Sequence, residues 1–564
     1  MNAAVKSWTV DGKNQLWKSP IGGRTTPILL GDRLFFNTVA GEGDCLGERV
    51  VCLDPDTGRL IWEHKFNVYL TTIVEARVAW TSVVGDPSTK YVYAHGTGGM
   101  FYCFDFDGNI VWRRSLTEFY NRVSGYGGRV HTPIIDGDNV IISFLSSNWG
   151  SHGKPGHRYV AFDKMNGAVV WWSQPGGKPL DTTYSVPVTT VLNGRRMIVA
   201  GNADGGVYGL ESRTGRKIWG FKMSKRGINT STVMDGKYAY VTHSEENLNT
   251  TEMGAVVCLD ASMTGDLNEN DKGVVWRHDG ITAGYASPAI AKGRLYVVDN
   301  AGKLYCFDAK TGKLYWTHTI GRVGKGSPTV TADGVIYATT VNGRFLILQD
   351  QGDECEQLDV EQFEASDDSA EIYGSPIVSE FQVFFMTRSH TFCLQSFEPT
   401  LFNKPPPAPP EEPGLPEEKE GALSAATTLL IVPGEVTLSP GERINFRPRL
   451  FDADGREIGA TSAAWTAPET LGTIQPDGTF TATDKKAFMA GLVEAKIGKI
   501  KGTVRVRVTP PLPIEEDFDS MPAGKNPPGW VGLGKKTQLT ILGRDNIVLQ
   551  KLASKKFPSV PFMR

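Results

Sequence analysis

Residues 306–316 read Cys-Phe-Asp-Ala-Lys-Thr-Gly-Lys-Leu-Tyr-Trp, and this run decides the fold because near copies of it stand along the chain. They are Cys52–Trp62 (CLDPDTGRLIW), Cys103–Trp112 (CFDFDGNIVW), Ala161–Trp171 (AFDKMNGAVVW), Gly209–Trp219 (GLESRTGRKIW) and the stretched Cys258–Trp276 (CLDASMTGDLNENDKGVVW). With Trp17 in front, the tryptophans fall at 17, 62, 112, 171, 219, 276 and 316, a unit of 40 to 59 residues. Periods of that size belong to propellers and solenoids. Outward from the run, one unit comprises Ser287–Ala291 (SPAIA), Gly293–Asp299 (GRLYVVD), Lys303–Asp308 (KLYCFD) and Lys313–His318 (KLYWTH). Each is short, alternating or β-branched and bounded by Gly, Asp or Asn, which predicts four strands A to D.

A second landmark precedes strand A: Thr26-Pro27, Thr132-Pro133, Val186-Pro187, Ser287-Pro288, Ser327-Pro328 and Ser375-Pro376. The A strands open near residues 25, 78, 131, 184, 229, 286, 327 and 375. A four-stranded unit cannot bury both faces alone, and stacking such units around an axis solves that. The expectation is an all-β chain led by an eight-bladed β-propeller. Its last unit stops after strand C at residues 391–397, while Asp11–Trp17 has the turn and tryptophan of a strand D with nothing before it. The N-terminus is therefore expected to complete blade 8 and remove the last open edge.

The chain has 564 residues, 40% hydrophobic and 21% charged, which describes a folded protein and not a disordered one. A net charge of −3 gives no general reason to bind nucleic acid or an anionic membrane. No run approaches the roughly 18 apolar residues of a membrane span, and residues 1–10 lack the apolar stretch of a secretory signal. The chain is expected to be cytoplasmic or a form without its signal.

Composition shifts at residues 403–420, where seven prolines and five glutamates make an extended charged spacer. Beyond it, short strands and turns alternate over 429–508 at a spacing suited to a sandwich. The expected organisation is a propeller over 1–400, a linker over 401–422, a β-sandwich over 423–510 and an incomplete β segment over 511–564.

The signature of a small residue, an apolar one, Asp, Thr-Gly and a Trp resembles the pyrroloquinoline-quinone (PQQ) repeat of eight-bladed quinoprotein alcohol dehydrogenases and of BamB-like propellers. The resemblance covers roughly residues 10 to 397 and erodes in unit seven (ILQDQGDECEQL). It implies that Trp17, Trp62, Trp112, Trp171, Trp219, Trp276 and Trp316 dock against neighbouring blades. The second module resembles a group 2 bacterial immunoglobulin-like domain on Pro433-Gly434, Phe451–Gly455, Trp465, Gly472–Ile474, Asp477–Phe480 and Val504–Val508. Such modules imply an extracytoplasmic (periplasmic or cell-surface) location.

Periodic residues are read as structural. Asp54, Asp105, Asp163, Asp260 and Asp308 precede the C–D turn, where a carboxylate accepts backbone N–H groups. Cys52, Cys103, Cys258, Cys306 and Cys393 share one strand C position and are small core residues. The quinoprotein enzymes carry adjacent cysteines beside the quinone, and this sequence has no Cys-Cys pair. No cofactor is therefore expected, with PQQ and calcium as the alternative. Asp266, Asn268 and Asn270 imitate the start of a calcium loop, but Arg277 stands where its glutamate belongs. His152 and His157 share a B–C loop without a carboxylate nearby, and Trp149 in that loop is a candidate cap for the central funnel.

The residues ahead of each A strand are expected to ring the propeller mouth: Arg24, Arg77, Arg129 with His131, Tyr184, Asn229, Tyr285, Lys325 and Tyr373. Cations mixed with aromatics suit a protein, peptide or carbohydrate ligand; the alternative is a hydrated channel. The functional expectation is a non-catalytic binding or scaffold protein at the cell envelope. A PQQ-dependent alcohol or sugar dehydrogenase is the alternative.

Overall fold

The computed structural model describes residues 5–68, 75–120, 130–146, 156–363, 370–379, 381–396, 423–459, 462–511, 513, 515, 517–527, 530–531, 537–542, 546–551 and 562–563. The chain is all-β; among the described residues the single α-helix is Leu116–Tyr120. Seven blades are built from consecutive strands, starting with Ile28–Leu30, Arg33–Ala40, Gly47–Leu53 and Leu60–Asn67 in blade 1. The first strands of blades 2 to 7 are Val84–Asp86, Ile134–Asp136, Val188–Leu192, Val233–Asp235, Ala289–Ala291 and Thr329–Val330. Blade 8 takes Ile377–Ser379, Gln382–Met386 and Thr391–Gln395 from one end of the chain and Gln15–Ser19 from the other. The N-terminal strand pairs antiparallel, Trp17 opposite Cys393, so the ring closes without a covalent link.

The repeated Thr-Gly…Trp spacing has a direct physical cause. Trp17, Trp62, Trp112, Trp171 and Trp276 each donate their indole N–H to a C–D turn carbonyl of the next blade, at Pro55, Phe106, Lys164, Ser212 and Ala309. The turn glycines Gly58, Gly108, Gly167, Gly215 and Gly312 lie flat under those rings, and a Cβ there would come within 2.4–2.7 Å of the indole. Each also has positive φ, so glycine is required twice over. Trp316 donates instead to the Asp350 carboxylate of the eroded seventh unit, at 3.0 Å.

Two seams depart from the rule. Beside Trp219 the expanded blade 5 turn has no flat glycine; Gly265–Asp266 adds as a parallel fifth strand to blade 4 and Leu267 packs into the core with Trp219. Between blades 7 and 8 the repeat supplies no tryptophan. Trp8, 1% exposed, fills the gap from the N-terminal tail and meets Phe345 and Phe385 edge-on at 5.6 and 5.5 Å. Its backbone N–H donates to Asp359, and Val5 exchanges bonds with the Tyr337 hydroxyl.

The repeated aspartates accept backbone N–H bonds in their turns, as at Asp54 from Asp56 and Thr57 and at Asp308 from Lys310 and Thr311. The strand C cysteines are free thiols in the cores, and burial pushes Cys52, Cys103, Cys258 and Cys306 up to about 12. They are unreactive packing residues.

Three sheets, containing Ala426–Val432, Glu435–Leu438 and Arg443–Asn445, share one core around Phe446, Phe480, Val493 and Val504. This module lies against the propeller. Leu430 and Val432 pack onto the Tyr159–Trp171 cluster of blades 3 and 4, and the Gly434 N–H donates to Val169 on blade 3's outer strand. Arg195 of blade 4 pairs with Asp454 at 2.9 Å. Beyond residue 511, the described strands are Trp530–Val531 with Phe562–Met563 and the hairpin Thr537–Leu542 with Asn546–Lys551. The spacer 401–422 lies outside the described residues.

Candidate functional site

The Ser/Thr-Pro landmark builds the wall of the central channel. The backbone N–H of each landmark residue donates to the hydroxyl of the next: Thr26 to Ser82, Ser82 to Thr132, Ser231 to Ser287, Ser287 to Ser327, Ser327 to Ser375 and Ser375 back to Thr26. Val186 N–H donates to Ser231, but Val186 offers no hydroxyl to Thr132, so the circle has one break. The proline that usually follows keeps the landmark residue extended, which holds its N–H toward the neighbour.

This ring sets the register of the mouth. The residues two positions ahead of it are Arg24, Trp80, Val130, Tyr184, Asn229, Tyr285, Lys325 and Tyr373. The expected ring therefore slips in blades 2 and 3. In blade 2 the landmark is Ser82-Val83, which like Ser231-Thr232 of blade 5 lacks the proline, and Trp80, not Arg77, takes the mouth position. Arg77 closes the short turn Glu75–Arg77. In blade 3 the register residue is Val130; Arg129 lies outside the described residues, as do His152 and Trp149.

His131 is not in the mouth. It is fully buried and stacks on His157 at 5.1 Å, while His95 Nδ1 lies 3.0 Å from its carbonyl. Burial holds His95 and His157 at about 4 and drives His131 well below its usual value, with the neighbouring histidines adding to the effect. These are neutral core residues, with no group of three metal-competent side chains among the described residues. The position next to a landmark alternates away from the channel, which is why His131 turns into the blade.

Four mouth residues from different blades converge. The Lys325 ammonium lies 4.6, 5.4 and 5.7 Å from the ring centres of Tyr373, Tyr285 and Trp80. Arg24 stacks on Tyr373 at 5.6 Å and pairs with Glu371 at 3.8 Å. Trp80 is held by its indole N–H on Ala76 and reaches across the channel, where it shares a cavity of about 170 Å³ with Tyr184, Asn229, Tyr285, Ser231 and Ser287. Cations over aromatic faces at these distances attract.

The set does not fit calcium and a quinone. Calcium takes six to eight oxygen ligands, usually with carboxylates among them. None of the described residues lining this cavity is acidic, and Glu371 is engaged by Arg24 and Tyr373. The cavity is also below the roughly 300–1,000 Å³ of small-molecule and cofactor sites.

The calcium-like segment has other work. Asn268 gives its amide N–H to Lys222 O and accepts from Lys222 N, Asp266 accepts from Asn268 N, and Asn270 sits in a positive-φ turn. It clips the outer edge of blade 4. A buried acid that sequence reasoning missed, Glu48, accepts from Ala79 N, Thr97 N and the Thr97 hydroxyl, and burial raises its pKa. These donors come from blade 2 while Glu48 stands on blade 1, so it bolts two blades together.

The family model described as outer membrane protein assembly factor BamB matches residues 46–266 and 262–362. The crystal structure of BamB from Moraxella catarrhalis is 14% identical, with a TM-score of 0.47 over 68% of this chain and 99% of that one. Quinohemoprotein alcohol dehydrogenase from Comamonas testosteroni is 11% identical, with a TM-score of 0.50 over 68% of this chain and 76% of that one. The second likeness, at that identity, speaks for the fold alone. No curated protein matches the chain. The matched segments run through more than half of the sequence, from strand C of blade 1 to strand D of blade 7, and the chain belongs to the BamB family of PQQ-repeat β-propellers.

Proposed function

We propose that this protein is a non-catalytic binding or scaffold protein of the cell envelope whose propeller mouth receives a protein, peptide or carbohydrate ligand. The observation that supports the reading is the Lys325 ammonium among Tyr373, Tyr285 and Trp80 beside a cavity walled by tyrosines, an asparagine and serines. Flat rings offer stacking, Lys325 attracts an anionic group, and Asn229, Ser231 and Ser287 supply hydrogen bonds that fix orientation. The family's description as an outer-membrane assembly factor and the immunoglobulin-like resemblance of residues 423–510 support an extracytoplasmic site of action. No helix among the described residues is long and apolar enough to cross a membrane.

Replacing Tyr285 and Lys325 with alanine tests the reading. Tyr285 is 42% exposed, so the fold loses little. Binding to glycan arrays, and to peptide arrays without acidic sequences, should disappear while the melting temperature holds; such arrays binding variant and parent alike would remove the mouth as the site. The dehydrogenase alternative has its own test. Incubation with PQQ and calcium should give neither quinone absorbance on the protein nor dye-linked alcohol oxidation.

A further inference from the structure

We infer that the cleft between blades 1 and 2 is a second binding site, and that its ligand is an acidic, extended segment of a protein partner. The cleft has a volume of about 790 Å³ and continues into a neighbouring one of about 390 Å³ that shares Lys65, Phe66 and Asn67. Its floor is aromatic: His64 and Phe66 of blade 1 lie 5.2 and 5.1 Å from Tyr102 of blade 2. Its wall is cationic, formed by Arg113 and Arg114 at the end of blade 2's strand D (Ile110–Ser115) and by Phe119 of the following helix.

The charge on this wall is not compensated. None of the described residues lining the larger cavity is acidic. Arg114 is half-buried; its Nε donates to Gly167 O at 2.9 Å, its guanidinium rests 5.7 Å from the Phe119 ring, and no carboxylate faces it among the described residues. Burial depresses its pKa, the signature of a charge short of a counter-ion. Arg113 is exposed and has no partner among the described residues, and its positive charge, after burial, lowers the pKa of His64. On the blade 1 side Arg49 and Lys65 share one carboxylate, Glu63, at 2.8 and 2.7 Å, which offsets one of their two charges. The unmet demand is thus for oxyanions at Arg113 and Arg114.

The two arginines alternate along the strand: the exposed Arg113, opposite Tyr102, faces the aromatic floor, while Arg114, which also lines the cleft, turns toward Gly167 of blade 3. A guanidinium fork binds a carboxylate in two-pronged fashion. A lone ion would leave the aromatic floor and most of the volume unused. An extended peptide turns every second side chain to the same face, about 7 Å apart, and so lays an acidic residue on Arg113 and an apolar one on the rings together.

Fluorescence anisotropy with the full chain tests this, using a short fluorescein-labelled peptide repeating Glu-Ser-Tyr-Ser. The peptide should bind, weaken with added salt and lose about tenfold or more in affinity on Arg113→Ala and Arg114→Gln. A Lys-Ser-Tyr-Ser peptide should not bind, and Tyr285→Ala in the mouth should change nothing. Should Arg114→Gln unfold in a melting scan, the exposed Arg113→Ala and the salt series still decide. Equal binding of both peptides, unchanged affinity in the arginine variants, loss of binding in Tyr285→Ala, or displacement by tighter-binding polygalacturonate would each overturn the proposal.

Discussion

The seam between blades 5 and 6 and the seam between blades 7 and 8 meet the same demand by different routes. Wedge-shaped sheets leave a gap at their outer strands that a large flat side chain must fill. At the first seam the repeat fills it: Trp276 lies over Gly312 and donates to Ala309 at 2.8 Å. At the second, strand D of blade 7 (Cys355–Gln362) carries no tryptophan, and Trp8 comes from outside the repeat to sit among Phe345, Phe385 and Phe392. The first indole also makes a hydrogen bond; the second is held by ring contacts alone, with its Nε1 lacking a partner among the described residues. Periodicity is one way to close a ring of wedges, and the chain terminus is another, provided that the same volume is delivered.

Removing residues 1–19 attacks the second seam and blade 8 together, and it should have the largest effect. It takes away Trp8 and the strand Gln15–Ser19, exposing the edge of Thr391–Gln395. Loss of the cooperative melting transition is expected; a truncated chain that melts like the parent would break the comparison. Trp8→Ala, at about 3–5 kcal/mol, should come next, measured by denaturant unfolding. Trp276→Phe keeps most of the volume and loses the bond to Ala309, so it should cost only about 1 kcal/mol.

Acid sharpens the contrast between these apolar seams and the polar one around blade 3. His95 and His157, at about 4, and His131, driven well below its usual value by burial, stay neutral in the fold, whereas in the unfolded chain they titrate near 6.5. The unfolded state therefore takes up protons first as the pH drops. Their stabilisation is complete above about 6.5 and is lost as the pH falls toward about 4, which melting curves between those limits should show. The smallest effect is expected at the break in the hydroxyl circle. Val186→Thr supplies the missing acceptor for the Thr132 N–H and should raise stability by about 0.5–1 kcal/mol; a lower melting temperature would count against the circle as a stabilising device.

Most of the propeller was legible because its determinants recur: a glycine that must lie flat, a tryptophan four residues later, an aspartate capping the turn. The landmark residues made most of the mouth legible, with or without the proline. Tyr184, Tyr285, Lys325, Tyr373 and Arg24 precede landmarks that keep the proline; Asn229 was placed although Ser231-Thr232 lacks it, Trp80 was missed at Ser82-Val83, and Val130 was missed although Thr132-Pro133 keeps it. A sharper signal existed in the spacing, since every mouth residue stands two positions before a channel residue. Trp8 was not legible at all, lying outside any register. The Arg113–Arg114 cleft was equally hidden, because consecutive arginines on an edge strand read as a solvated face until the neighbouring blade is set beside them.

The sequence by itself determined the number of blades, the strand order within each and the closing of blade 8 by the N-terminus, because each follows from local rules repeated many times: strand alternation, turn chemistry and the fit of indole on glycine. Tertiary structure alone decided what meets across the channel and between blades. Trp80, Tyr285, Lys325 and Tyr373 are far apart in the chain and converge only because the ring brings the starts of blades 2, 6, 7 and 8 to one axis. Periodicity specifies each wedge, but the contents of the spaces between wedges depend on side chains that no period relates.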